Sequence, residues 1–358
     1  MTSNPVPRRL AAVLLALAAA HPAAGGAFTV VDARGREVSF ARPAERIAVA
    51  GRAVGLLVNT LYLFPGARER VVAIPDPSQQ MSAEFLGLLD PQLAAKALLG
   101  GGGAGAEQIA PLRPDAVILK SASEERIGRP LERLGMRVVY LEGESPERFL
   151  AEVALLGKLL GDEPRAAEIA AYYQARRQMI AERLAGLPAS ARPRVLFLSA
   201  SSRGDGRTFT VPPADWLQHR LIADAGGASS GDSGLPGTAT VSGEQVAAWR
   251  PDRIVVARYR GDAREVVARL RTDPLWAALP AVRAGRLDAF PGDFYSWDQP
   301  DPRWLLGQLW LAKTLHPERF SDVDLRAEVL SFFRTLYGLP EETVRTRILP
   351  VLQGDLPR

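Results

Sequence analysis

The sequence predicts an α/β chain of two Rossmann-like lobes, joined by a single long rigid helix, with a ligand cleft between them. Three observations carry this reading. One segment occurs twice at a domain-length offset, short apolar strand runs alternate with helical ones, and an unbroken helical stretch separates the two copies. Residues 107–118 read Glu-Gln-Ile-Ala-Pro-Leu-Arg-Pro-Asp-Ala-Val-Ile, and residues 244–255 read Glu-Gln-Val-Ala-Ala-Trp-Arg-Pro-Asp-Arg-Ile-Val. Six of the twelve positions are identical, three more exchange Ile and Val, and the offset is 137 residues. That is far longer than a solenoid repeat and close to one domain. A cleft between two lobes is a favoured ligand position.

The elements follow in order. Val30 to Phe40 reads as a hairpin around Arg34-Gly35, and Ile47 to Ala50 as a short buried strand ended by Gly51. Ala53 to Phe64 carries Leu56, Leu57, Thr60, Leu61 and Phe64 at helical spacing. Val71 to Ile74 is a strand, Ser82 to Leu89 a helix, and Gly100 to Gly105 a connection. In the first repeat copy, Glu107 to Leu112 is helical, Arg113-Pro114-Asp115 is the turn and Ala116 to Leu119 is a strand. Pro114 stops the helix by pushing Arg113 toward extended geometry. Val138 to Leu141 completes the first lobe, and the alternation implies parallel topology.

Ser145-Pro146 opens a helix as N-cap and first-turn proline, running to about Leu160. Gly161-Asp162 interrupts it, and Glu163 to Leu184 continues as a second helix about 33 Å long. Its Ala, Glu, Arg and Gln content favours helix over hinge, so the connection is stiff. The second lobe repeats the order. Val195 to Leu198 is a strand, Ser199 to Arg207 a Gly- and Ser-rich loop, and Trp216 to Ala225 a helix ended by Gly226-Gly227. Strands Ile254 to Val256 and Leu287 to Phe290 follow, then helices Arg303 to Leu315 and Leu325 to Tyr337. The boundaries are 1–27 for a signal peptide, 28–144 for the N-terminal lobe, 145–187 for the helical linker and 188–358 for the C-terminal lobe with its C-terminal helices.

The first of these segments has Arg8 and Arg9, then an apolar run from Leu10 to Ala20, then small residues from Ala23 to Ala27. That is the layout of a cleaved secretory signal, too short for a membrane span. No Cys is present, which excludes a lipid anchor at the cleavage zone, disulfides and thiolate metal sites. The 44 basic residues less Arg8 and Arg9 leave 42 against 40 acidic ones, a balance with no footprint for nucleic acid. The mature chain is expected to be a soluble periplasmic monomer.

Ligands of open α/β sheets sit beyond the C-terminal ends of parallel strands. Phe294 to Pro300 lies there, just after the last strand, with Tyr295 and Trp297 as an aromatic wall. Arg303 falls in the first turn of the next helix, whose free N–H groups favour an anion. Arg52 holds the matching place in the first lobe, and Arg203, Arg207 and Trp216 follow the corresponding strand of the second. These seven residues are the candidate ligand contacts. No catalytic residue, metal site or cofactor is expected. Gly231-Asp232-Ser233-Gly234 matches a protease tetrapeptide, but the mature chain has only His219 and His316 as bases, without supporting context. Gly100-x-Gly102-x-x-Gly105 lacks a leading strand, no P-loop is present, and two His with no paired carboxylates argue against a dedicated His-rich metal site.

Four motifs in order then resemble one family. Val31-Asp32-Ala33-Arg34-Gly35-Arg36-Glu37-Val38 with Pro43-Ala44-Glu45-Arg46-Ile47 resembles the start of class III periplasmic substrate-binding proteins of ATP-binding-cassette importers. The repeat segment is similar to that family's N-lobe motif, and Trp276 to Leu287 to its C-lobe motif. Ser296-Trp297-Asp298-x-Pro300-x-Pro302-Arg303-Trp304 resembles a subgroup of iron-chelate binders. The resemblance implies capture of a ferric chelate, modest closure about a rigid helix, delivery to an inner-membrane permease, and one acidic docking residue per lobe. Haem, a corrinoid or a bare metal ion remain alternatives within the fold, and a secreted α/β enzyme outside it. Where many members carry Glu after Gly226-Gly227, this chain has Ala228, leaving Asp224 or Asp232 as substitutes.

Overall fold

The computed structural model describes residues 26–51, 55–76, 82–100, 104–201, 208–231 and 238–356. Residues 1–25 of the expected signal segment 1–27 lie outside the described residues. β1 (Phe28–Val31) and β2 (Glu37–Phe40) form the antiparallel hairpin. The first lobe is built on β3 (Ile47–Val49), β4 (Val71–Pro75), β5 (Ala97–Leu99), β6 (Ala116–Lys120) and β7 (Val138–Leu141). Their order is β5-β4-β3-β6-β7, parallel throughout. β3, β6 and β7 are continuous apolar runs because helices cover both faces of a parallel sheet. The edge strand β5 has three residues and one fully buried side chain, too little pattern to stand out in the sequence.

The second sheet holds β8 (Arg194–Ala200), β9 (Phe209–Val211), β10 (Ala228–Ser230), β11 (Ala239–Val241), β12 (Arg253–Arg258) and β13 (Leu287–Ala289). The order is β11-β9-β8-β12-β13, with β10 also paired to β8. Here the parallel expectation is incomplete. β9 runs antiparallel to β8, and β11 antiparallel to β9. A parallel crossover needs about a dozen residues or more, and the connection from Ala200 to Phe209 is shorter, so the chain folds straight back.

The repeat is structural as well as sequential. β6 and β12 each pair with the first strand of their lobe, β3 and β8. Asp115 accepts from the backbone N–H of Glu45 and Arg46, and Asp252 from that of Arg194. Arg113 and Arg250 both adopt left-handed backbone, with φ of 47° and 48°. This corrects the extended geometry expected before Pro114. The proline disfavours the right-handed helical region, and the left-handed position both satisfies it and closes the preceding helical turn.

Between the lobes, Ser145 caps the helix Pro146–Leu160 by accepting from Arg148 N, and Asp162 caps the helix Glu163–Leu184 by accepting from Arg165 N. The long helix is tied down along its length. Arg165 donates to the carbonyls of Leu63 and Leu336, Tyr173 Oη donates to Pro302 O at 2.5 Å, and Arg176 pairs with Glu328. The helix Leu325–Tyr337, grouped with the second lobe on sequence order, lies against the first as well. Phe333 and Tyr337 pack on Phe85, and Arg68 donates to Tyr337 O.

Gly161 breaks the two interlobe helices with φ of +67°, and a Cβ there would meet Pro43 Cγ at 2.8 Å. Gly161→Ala is expected to cost about 1–2 kcal/mol from the left-handed backbone alone, with the Pro43 contact adding to it. Urea denaturation of the variant beside the wild type measures this.

Candidate functional site

A cavity of about 260 Å³ opens between the lobes at the C-terminal ends of the central strands. The first lobe contributes Leu56, Lys120 and Glu144. Lys120 is the last residue of β6, and Glu144 follows β7. Their side chains pair at 3.2 Å. Burial raises the Glu144 pKa, and Lys120 opposes that rise. The second lobe contributes hydroxyls from Ser199, Thr210, Thr238 and Tyr259, and amides from Gln218 and Gln299. Trp216, Pro212 and Pro300 supply apolar surface. Trp216 is exposed.

Of the seven residues expected here, Trp216 alone among the described ones lines the cavity. Arg52, Arg203 and Arg207 lie outside the described residues. Tyr295, Trp297 and Arg303 sit behind the cleft, which corrects their placement on its wall. Arg303 is fully buried, with Nε 2.8 Å from Asp293 Oδ1 and Nη1 3.0 Å from Asp301 Oδ2. Burial works against this cation, but Asp293 and Asp301 outweigh it and its pKa is raised. Its guanidinium lies 4.2 Å from the Phe85 ring centre and 4.6 Å from that of Tyr295. Trp297 Nε1 donates to Asp293 Oδ2, and Tyr295 Oη accepts from Ser82 N. The physical reason is local. Two carboxylates within ten residues of Arg303 neutralise it internally, so the loop turns its charge inward.

These interior groups also join the lobes. Asn59 Nδ2 donates to Asp301 Oδ2 at 2.5 Å, and Tyr337 Oη donates to Asn59 O. On the opposite side, Glu152 Oε1 accepts from Glu142 N and Gly143 N, holding the turn that presents Glu144. A Cβ on Gly143 would lie 3.4 Å from Pro300, so this turn also abuts the second lobe.

Several of the lining residues missed in the sequence stand at strand ends. The rule applied to the last strand holds for the repeat strands too, and points to Lys120 after β6 and to Tyr259 after β12. Gln218 offers no such signal, because only the helix Leu217–Asp224 brings it to the cleft. Of the docking substitutes, Asp224 is paired with Arg177 and Arg220, and Asp232 lies outside the described residues. Among the described residues, no group of three or more His, Cys, Asp or Glu is placed to hold a metal ion. Nor is any described helix long and apolar enough to cross a membrane.

The family described as Periplasmic binding protein matches residues 60–293. The chain belongs to this family, in its class III group of ABC-importer substrate-binding proteins. Among curated relatives of this periplasmic binding protein, the molybdate-binding protein MolA of Haemophilus influenzae is 25% identical over 316 residues, covering 80% of this chain and 86% of MolA. A periplasmic solute binding protein from Veillonella parvula superposes with a TM-score of 0.73 at 22% identity, covering 91% of this chain and 98% of the other. CeuE of Helicobacter pylori, in its nickel–histidine complex, gives 0.69 at 19% identity, covering 90% and 99%. At these identities the structural likeness shows the two-lobed fold.

Two outcomes test the supports of the site. Arg303→Met removes one charge and strands two buried carboxylates, so a loss of about 3–5 kcal/mol is expected in urea denaturation. The loss should shrink in acid as Asp293, whose pKa burial raises, takes up a proton. Glu152 is pushed up to about 7 by burial, with the Glu142 and Gly143 N–H groups opposing. The folded state thus holds this proton more tightly than the unfolded chain, whose value is near 4.5. Stability from this group is full below about 4.5 and falls as pH rises toward about 7. Glu152→Gln keeps the accepting oxygen and should flatten that slope in a pH series of melting curves.

Proposed function

We propose that this periplasmic binding protein captures a compact anionic metal species of the ferric-chelate class and hands it to a membrane permease. The cavity carries the reading. It draws on both lobes and sets a lysine and an exposed tryptophan among neutral hydrogen-bonding groups. In sequence, Arg52 follows β3, and Arg203 and Arg207 follow β8. At about 260 Å³ the cavity falls below the range of about 300–1,000 Å³ usual for drug-sized ligands, which favours a compact solute over haem or a corrinoid. The apolar segment Leu10 to Ala20 after Arg8-Arg9 supports export with removal of the first 27 residues.

A second reading is a tetrahedral metal oxyanion. It is favoured by the relative named as molybdate-binding, matched over 80% of this chain. Titration calorimetry with ferric chelates, haem, a corrinoid and molybdate separates the readings. Lys120→Ala should weaken binding of the true solute about tenfold or more, since a charge-assisted hydrogen bond contributes about 1.5–3 kcal/mol. Trp216→Ala should weaken a flat chelate and leave an oxyanion nearly unaffected. Unchanged affinity in both variants for every solute that binds would place the site elsewhere.

A further inference from the structure

Asp298 is fully buried directly behind the cavity, and among the described residues no Lys or Arg pairs with it. Four neutral donors reach its carboxylate instead. Gln218 Nε2 lies at 2.9 Å, Tyr259 Oη at 3.0 Å and Gln299 Nε2 at 3.4 Å, and Ser296 Oγ donates to the other oxygen. A carboxylate ion accepts only, so it dictates where each neighbour's protons point.

The consequence runs outward to the cavity wall. Gln218 must turn its NH2 group inward, where Nε2 also reaches the Asp298 carbonyl at 3.2 Å. Both of its protons are then used, and Oε1 is left buried with no partner. Tyr259 gives its single proton to Asp298. In its 3.1 Å contact with Ser199, the serine hydroxyl is therefore the donor, and its proton is used as well. Three residues that line the cavity, Gln218, Tyr259 and Ser199, thus have only lone pairs left to offer.

We propose that this three-residue acceptor patch, oriented by Asp298, selects a solute with a protonated end. An ammonium, amide or hydroxyl group of the chelator lies against Gln218, Tyr259 and Ser199, and its anionic metal core lies toward Lys120 of the other lobe. This rests on the ferric-chelate reading and narrows it. A fully deprotonated oxyanion brings only lone pairs to the same patch. Sites built for a donor reject analogues that lack one, because the buried acceptors are left unpaired.

The test uses ferric complexes of two hydroxamates of equal length, one ending in an ammonium group and one in a carboxylate, with molybdate as a third probe. In calorimetry at pH 7.5 the wild type is expected to bind the ammonium chelate at least about a hundredfold more tightly than the other two. Asp298→Asn supplies a donor of its own, frees Tyr259 and Gln218 to turn, and should bring the ratio within about tenfold. Tyr259→Phe keeps the ring and the fold, and should weaken the ammonium chelate alone. It decides the matter if Asp298→Asn does not fold. Equal binding of the two chelates, tighter binding of molybdate, or an unchanged ratio in the folded variants overturns the inference while leaving a solute-binding role intact. Binding of neither chelate by the wild type overturns the ferric-chelate reading and this inference with it.

Discussion

The buried charge of Arg303 is the constraint from which the centre of the molecule follows. A guanidinium removed from water is tolerated only when its charge is met, and here Nε and Nη1 reach carboxylates while Nη2 is left without a hydrogen-bond partner. Asp293 and Asp301 meet the charge from either end of one short segment. Phe85, Tyr295, Phe333 and Tyr337 close around the cation with their ring faces, and they come from the first lobe, the loop itself and the C-terminal helix. Asn59 then reaches Asp301 from the first lobe. One side chain therefore gathers three parts of the chain that are far apart in sequence.

Pinning the segment at Asp293 and Asp301 determines what lies between. Gln299 and Pro300 are carried to the cleft with Asp298 buried behind them, and Trp297 is driven inward to donate to Asp293. Three carboxylates in nine residues thus do different work. Two neutralise a cation, and the third, with no cation of its own, sets the hydrogen-bond polarity of the second-lobe wall. Across the cleft, Glu152 performs the comparable task with backbone donors, and the turn it holds carries Glu144 to Lys120. Both walls are thus supported by acidic groups that the cavity itself does not expose.

The two lobes share one device at the base of their sheets. A short helix, a left-handed arginine and an aspartate that accepts backbone N–H groups deliver β6 and β12 to equivalent positions. Arg and Pro act locally in both copies, closing the helical turn, and that part is legible in a sequence; the Asp instead reaches back to backbone N–H groups at the start of the lobe's first strand. The lobes differ after their first strands, where β8 returns as an antiparallel pair with β9 and β3 leads to a helix and a parallel neighbour.

The sequence by itself determined the α/β class, the tandem lobes, the long helix Glu163–Leu184, and the cleft as the place to look. All of these rest on periodicity, capping and repetition, which are short-range properties. It also singled out the segment from Tyr295 to Arg303 as unusual. Which of those side chains face a solute was decided only by tertiary structure, because Arg303 has internal partners on both sides and the lobes close over it. The wall that replaced them, Lys120, Ser199, Gln218 and Tyr259, comes from four separate elements. Their convergence depends on strand order and helix packing, and their proton directions depend on a carboxylate that only the folded chain buries among them.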